Sequence, residues 1–190
     1  MSILLTGFEP FGGAERNPSR EAVQLVPDQI VGRAVHRLCL PVEYGRAAEL
    51  LMAEIRRLRP ALVICCGVAA GREGVTPELV AINYRQAAIS DNAGLLCRGE
   101  PICPGGETAY MTRLPVNDIV DAIRALDIPA RLSLSAGAYV CNDLYYHALA
   151  AERELACRCL FVHVPGEEAV DAARAAQAIA ACIETALKTE

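Results

Sequence analysis

The chain has 190 residues, which is enough to bury a sizeable core, and its 53% apolar and 22% charged residues argue against disorder. Its net charge of −5 argues against nucleic acid binding, which needs clustered cations. An aromatic content of 5% without tryptophan leaves few surfaces on which the bases of a single strand could stack. We therefore expect no nucleic acid partner.

The cysteines indicate a reducing compartment. There are nine of them, an odd number without the spacing of a disulfide framework, and several lie within apolar runs where free thiols behave as small hydrophobic groups. Residues 1–7 have no basic region and too short an apolar run for a signal peptide. The uncharged stretch 60–71 is too short to span a bilayer. We expect a cytoplasmic protein with no membrane partner.

The first third of the chain alternates short apolar runs with amphipathic segments. Apolar runs that end at glycine predict buried strands, and apolar residues at helical spacing predict helices. The expected elements are a strand at 2–6, a helix from Asn17 to about Val26 with Ser19 as its cap, one or two strands within 30–42, a helix over 44–58 that Pro60 ends, and a strand at 61–66.

The rest of the chain continues the alternation after an irregular part. Residues 68–108 hold much of the turn chemistry and predict few regular elements. Beyond them we expect a helix over 116–126 with Asn117 as a possible cap, a strand at 132–134, a helix over 141–154, a strand at 159–164 and a helix over 167–187. Alternating strands and helices imply an α/β fold, and we expect a single domain over residues 1–190.

Cys141 is the sharpest candidate for a nucleophile. It opens a predicted helix after a strand and a Ser-Ala-Gly sequence, where the helix dipole and unpaired backbone N–H groups favour a thiolate. The same N–H groups could stabilise an oxyanion during acyl transfer. The alternative is a capping or core cysteine, because reduced cysteines are commonly buried and inert.

Two further residues could complete a catalytic set with Cys141. His163 ends a predicted strand and could act as the base that keeps the thiol ionised and then protonates a leaving amine; otherwise it is a satisfied histidine at a strand edge. Glu78, in a loop with little charge nearby, could orient the imidazole, with Glu73 as its rival in that loop. A lone glutamate in a loop is more often a surface residue.

Other site types have less support. The cysteine spacings miss those of zinc sites, and the glycine pairs lack a phosphate-binding context, so we expect no metal and no cofactor. Phe8 and Phe11 lie in a Gly/Pro loop at the end of a strand. They could line a small apolar pocket, or they could fill the core beneath the loop.

Four segments together resemble the pyroglutamyl peptidase family, cysteine exopeptidases that remove an N-terminal pyroglutamate. They occur in the family's order and extend over nearly the whole chain. The matching sequences are Leu-Leu-Thr-Gly-Phe-Glu-Pro-Phe-Gly-Gly at 4–13 with Asn-Pro-Ser at 17–19, Val-Thr-Pro-Glu at 75–78 with Val-Ala-Ile-Asn at 80–83, Ser-Ala-Gly at 135–137 with Val-Cys-Asn at 140–142, and Val-His-Val-Pro at 162–165.

The resemblance implies a three-layer α/β/α sandwich with a mixed, largely parallel central sheet. It further implies a Cys–His–Glu catalytic triad, no cofactor, a peptide with a blocked N-terminus as substrate, a cytoplasmic location and often a homotetramer. The positions that match the family's motifs are Glu78, Cys141 and His163 for catalysis, and Phe8, Phe11, Tyr139 and Val140 for the pocket around the lactam ring.

The sequence departs from the family's pattern at three positions. Val68 replaces a usual Gln, Ala88 a usual Arg, and Leu79 another usual Arg, and Arg85 is a possible substitute for the missing cation. One alternative is therefore a diverged member with altered selectivity or a non-catalytic role in peptide binding. Another is a glutamine amidotransferase, which also uses Cys, His and Glu, although Tyr139 and Asp143 replace the glycines that flank its nucleophile.

Overall fold

Residues 2–188, the part of the chain described by the computed structural model, contain a central six-stranded sheet. The strand order is β2-β3-β1-β4-β10-β5, in which β1, β3, β4 and β10 run parallel and β2 and β5 lie antiparallel at the edges. The mixed, largely parallel sheet that was expected is confirmed. Its strands are β1 (Ile3–Phe8), β2 (Gln29–Ile30), β3 (Arg33–Leu40), β4 (Leu62–Val68), β5 (Thr76–Glu78) and β10 (Arg158–Val164).

The helices cover both faces of the sheet and bury two separate apolar clusters against it. One cluster joins the sheet to the layer of α1 (Pro18–Leu25), α3 (Val116–Arg124) and α5 (Ala172–Lys188). The other joins it to α2 (Arg46–Leu58) and α4 (Val140–Leu155). This arrangement confirms the three-layer α/β/α sandwich.

The central strands read as apolar runs because both of their faces are buried. Successive side chains point to opposite faces of a strand, so Leu160 and Val162 of β10 pack against the layer of α1, α3 and α5. Phe161 packs on the opposite face, against the layer of α2 and α4. The same alternation directs His163 towards the α4 face, and it determines which helix can contribute residues to a site there.

Residues 68–108 are more ordered than the sequence predicted. Besides β5, they form β6 (Val80–Ile82), β7 (Arg85–Gln86) and β8 (Arg98–Glu100). β6 pairs antiparallel with β9 (Ala109–Met111), and β7 pairs antiparallel with β8. These strands have two or three residues each, which is too short for an alternating pattern to stand out in the sequence.

The strand expected at residues 132–134 is not formed. Ala130 and Ser133 instead make isolated bridges to Val75 and Glu78, and backbone hydrogen bonds from Leu79 and Val75 continue this irregular contact. The segment therefore lies beside β5 without continuous pairing.

Three helix starts also differ from the sequence predictions. Asn17, not Ser19, caps α1, since its side chain accepts a hydrogen bond from the backbone N–H of Ser19. Asn117 lies inside α3, which begins directly after Pro115 without a side-chain cap. Finally, α5 begins at Ala172 rather than at residue 167, because residues 167–170 form turns.

Candidate active site

The candidate site lies where β1, β4 and β10 end, beneath the start of α4. Functional groups collect at this edge of parallel sheets because the carboxyl ends of the strands open into loops. Gly67 of β4 is the register partner of His163 of β10, and neighbouring strands lie about 4.8 Å apart. The sulfur of Cys141 lies directly over Gly67, since a Cβ atom built there would be 2.9 Å from Sγ. The fold thus brings the thiol and the imidazole to one place.

Glu78 and His163 form a buried hydrogen bond across the antiparallel pair of β5 and β10. His163 Nδ1 lies 2.7 Å from Glu78 Oε1, with His163 only 4% exposed and Glu78 fully buried. The expectation of a glutamate in a loop with little charge nearby is wrong, because β5 carries Glu78 into the sheet and Arg72 pairs with it. The rival Glu73 is exposed.

Burial gives the Cys141 thiol a high proton affinity. Desolvation and the nearby carboxylate of Glu78 raise the pKa of Cys141 to about 12, while Arg72 lowers it. This contradicts the expectation that the start of a helix leaves the thiol ionised. Cys141 does begin α4 as its second residue, but loss of water around the sulfur outweighs the helix dipole.

The His163 imidazole is held in its neutral form. Burial lowers the pKa of His163 below its usual 6.5, although the hydrogen bond to Glu78 raises it. At neutral pH the site therefore contains a neutral thiol beside a neutral imidazole. A proton can pass between the two when the sulfur bonds to carbon, since the resulting imidazolium is stabilised by Glu78.

A cavity of about 120 Å³ opens onto Cys141 and His163. Its volume is well below the roughly 300–1,000 Å³ of sites for drug-sized ligands, so it suits a single small ring. All four residues expected to form the pocket line it together with the thiol and the imidazole: Phe8, Phe11, Tyr139 and Val140.

Few polar side-chain groups in this cavity are free to bind a ligand. The side chain of Asn17 is engaged with Glu9 and Ser19, and the hydroxyl of Tyr139 donates to the carbonyl of Ser90. Val68 adds a further apolar surface. A ligand in the cavity would thus meet mostly carbon atoms, together with the thiol, the imidazole and backbone groups.

Arg85 does not line this cavity. Its guanidinium pairs with the fully buried Asp143 at 2.6 Å and lies over the ring of Tyr44, 5.6 Å from its centroid. The structure therefore gives no support to Arg85 as a substitute cation at the site. Ala88 is also absent from the cavity lining.

Comparison with known proteins places this arrangement in a family. The sequence model described as "Pyroglutamyl peptidase" matches residues 1–189. The chain belongs to the pyroglutamyl peptidase family. It is therefore a cysteine peptidase and not a glutamine amidotransferase.

Relatives in the pyroglutamyl peptidase family match over most of their length. The chain is 43% identical to the pyrrolidone-carboxylate peptidase of Thermococcus onnurineus over 183 residues, 94% of this chain and 92% of that protein. It is 44% identical to pyrrolidone-carboxylate peptidase 1 of Streptococcus pneumoniae over 167 residues, 87% of this chain and 78% of that protein.

Solved structures of the pyroglutamyl peptidase family have the same fold. Pyroglutamyl peptidase I of Bacillus amyloliquefaciens superposes with a TM-score of 0.91 at 33% identity, covering 98% of this chain and 97% of that one. Pyrrolidone carboxyl peptidase of Pyrococcus furiosus superposes with a TM-score of 0.91 at 35% identity, covering 100% and 99%.

Metal and membrane signals are absent from the part of the chain described. Within residues 2–188, no group of three or more His, Cys, Asp or Glu side chains is placed to hold a metal ion. Within the same residues, no helix is both long enough and apolar enough to cross a bilayer.

Sequence reasoning missed two residues next to the candidate triad. Arg72 bonds to Glu78 Oε1 at 2.6 Å, and the buried Asn142 bonds with its side-chain amide to the backbone of Ile82 and Tyr84. The place of each residue in the sequence was the signal that could have indicated it. Arg72 lies between glycines just after β4, and Asn142 directly follows Cys141.

Proposed function

We propose that this chain hydrolyses the amide bond that follows an N-terminal pyroglutamyl residue. In this proposal Cys141 is the nucleophile, His163 the general base and acid, and Glu78 the carboxylate that orients the imidazole. The observation that carries the proposal is the position of His163, which is bonded to Glu78 and lines one small cavity with Cys141. Membership of the pyroglutamyl peptidase family supports the same reaction.

The first half of the reaction transfers the acyl group to sulfur. Cys141 Sγ attacks the carbonyl carbon between the ring and the next residue, while the thiol proton passes to His163. The imidazolium is stabilised by Glu78 and then donates that proton to the departing amine as the C–N bond breaks. Backbone N–H groups at the start of α4, which have no partner within the helix, stabilise the oxyanion.

The second half returns the enzyme to its starting state. A water molecule attacks the thioester carbon and gives one proton to His163. The C–S bond breaks, the acid leaves, and the sulfur takes the proton back from the imidazolium. Each half uses one proton transfer in each direction, so a neutral thiol and a neutral imidazole are restored.

The cavity supports a cyclic, uncharged acyl group as the substrate's first residue. Phe8, Phe11, Val68 and Val140 give it apolar walls. A pyroglutamyl ring has no free amine, so no charge must be desolvated when it enters. Backbone groups must form the hydrogen bonds to the polar atoms of the ring, because few polar side-chain groups around the cavity are free.

The test is a comparison of fluorogenic amides. We expect the purified chain to release the fluorophore from a pyroglutamyl amide much faster than from prolyl or alanyl amides. Cys141→Ala should lower kcat by about 10³-fold or more, because the covalent step is lost. Equal rates on all three amides would contradict the assignment of the substrate. Undiminished turnover in Cys141→Ala would contradict the nucleophile.

Compartment and assembly are also parts of the proposal. We infer that the protein works in the cytoplasm, as a homo-oligomer, on peptides with a blocked N-terminus. All nine cysteines are free, which supports a reducing compartment. The assembly rests on the resemblance to the family.

A further inference from the structure

Arg72 connects β5 with the loop before α4, although it lies outside the substrate cavity. Its Nη1 lies 2.6 Å from Glu78 Oε1 and also bonds to the hydroxyl of Thr76, while Nη2 donates to the carbonyl of Ser135 at 3.3 Å. The Arg72 side chain is 22% exposed, whereas Glu78 is fully buried. One guanidinium thus holds the buried carboxylate and the loop that leads into α4.

Arg72 and His163 bind the same oxygen atom of Glu78. Oε1 receives both groups, at 2.6 and 2.7 Å, while Oε2 is a buried atom that has no hydrogen-bond partner in the described part of the chain. The guanidinium therefore competes with the imidazole for one carboxylate. A permanent cation here neutralises much of the charge that would otherwise stabilise an imidazolium.

We propose that Arg72 is a positioning residue that sets the pH range in which the Cys141–His163 pair works. Its positive charge opposes a proton on His163 and favours loss of a proton from Cys141. Both effects move the working range of the pair to lower pH. This inference depends on the proposed function only in the choice of a pyroglutamyl amide as the substrate of the first measurement.

Few other charges face the pair, so the influence of Arg72 should be visible. The α1, α3 and α5 layer lies behind the sheet, and β1 and β4 offer no charged side chain beside the imidazole. Burial raises the pKa of the Cys65 thiol in β4 and of the Tyr145 hydroxyl in α4, so both groups stay neutral. The charged groups that act on His163 are Glu78 and Arg72, and Cys141 shares its cavity. Cys65 acts on Cys141, and the hydroxyl of Tyr145 donates to the backbone carbonyl of Glu78.

The experiment measures kcat/KM against pH with a fluorogenic pyroglutamyl amide. Arg72→Gln keeps an amide donor for Glu78 but removes the charge. We expect both limbs of its bell-shaped profile to move to higher pH, by about one pH unit, in addition to any fall in its height. Arg72→Lys keeps the charge and should leave the limbs near their wild-type positions. Arg131 is exposed and lines a surface groove together with Arg72. Arg131→Gln is therefore the matched control and should change neither the limbs nor the height of the profile.

A second readout separates this inference from the choice of substrate. The rate at which iodoacetamide alkylates Cys141, followed by peptide mass mapping, reports the titration of the pair without any peptide. We expect the alkylation profile of Arg72→Gln to move to higher pH as well. If the wild type does not cleave the pyroglutamyl amide, this profile alone decides the role of Arg72.

Two results would overturn the inference. One is a set of Arg72→Gln profiles that keep the wild-type limbs and differ only in height, which is the result expected of a purely structural residue. The other is an Arg72→Lys profile that moves as far as that of Arg72→Gln. Arg72→Met serves as the second neutral variant if Arg72→Gln lacks a cooperative thermal unfolding transition.

Discussion

Gly67 leaves the space that the Cys141 sulfur occupies. A Cβ atom at this position would lie 2.9 Å from both Sγ and the ring of Phe161, closer than such contacts normally allow. The Phe161 ring in turn packs against His163, with the ring centroids 4.7 Å apart. A single methyl group at residue 67 would therefore disturb the thiol and the imidazole together.

We predict that Gly67→Ala loses most of its peptidase activity while the fold survives. The added methyl group must displace the sulfur or the Phe161 ring, and small displacements of reacting groups can cost about 10²-fold in rate. Gly71→Ala is the matched control, because a Cβ atom there meets nothing within 4 Å. Steady-state kinetics and thermal melts test both variants. Equal activity in the two alanine variants would show that the sulfur does not need this space.

At the scale of elements, α4 is held in place by the residues that follow Cys141. Asn142 is fully buried, and its side chain bonds to the backbone N–H and carbonyl of Ile82 and to the carbonyl of Tyr84. Asp143 accepts a hydrogen bond from the backbone of Gly45 and pairs with Arg85. The first turn of the helix is therefore fixed to two other segments, residues 82–85 and Gly45, and the position of the thiol follows from it.

We predict that Asn142→Ala lowers the free energy of unfolding by about 2 kcal/mol, because it leaves part-buried backbone groups of Ile82 and Tyr84 without these partners. Activity at a temperature where the variant is folded should also fall, since Cys141 is the adjacent residue. The Asn83 side chain makes two similar hydrogen bonds to the backbone of Cys103 at a more exposed place. Asn83→Ala should therefore lower the free energy of unfolding by less than about 1 kcal/mol. Urea unfolding and kinetics compare the two variants. An Asn142→Ala variant as stable and as active as Asn83→Ala would contradict this role.

Long elements were predictable from the sequence, and short ones were not. Apolar runs predicted the central strands, and apolar residues at helical spacing predicted the helices. Burial of a whole face requires apolar residues at many regularly spaced positions, and this produces a recognisable pattern. The contact at residues 130–133 left no such pattern, since it consists of isolated bridges to β5. The cap of α1 was misassigned by two residues because Asn17 and Ser19 are both common cap residues.

At the scale of the whole molecule, the order of the strands in the sheet brings distant residues together. Glu78 and His163 are 85 positions apart in the sequence but hydrogen-bonded in the fold. The sequence indicated Cys141 and His163 because each lies where an element begins or ends. It could not indicate that Arg72 binds the buried carboxylate, since only the folded sheet places the two side chains together. Nor could it indicate the high pKa of Cys141, which depends on the surrounding packing.

Nine free cysteines make the chain a stringent test of the proposed nucleophile. Most of them are buried, so reagents should reach these thiols slowly. Cys39 and Cys103 are exposed but lie outside the cavity. Among the cysteines, all of which lie within residues 2–188, Cys141 alone combines partial exposure with a place beside His163 in the lining of the small cavity.

The most direct measurement is covalent labelling with a pyroglutamyl chloromethyl ketone, read by intact mass and peptide mapping. We expect one adduct per chain, located on Cys141, with loss of activity in proportion to labelling and protection by a competing pyroglutamyl peptide. Cys141→Ser should remain unlabelled. An adduct on any other cysteine that accompanies the loss of activity, or full activity in a chain labelled at Cys141, would contradict the account.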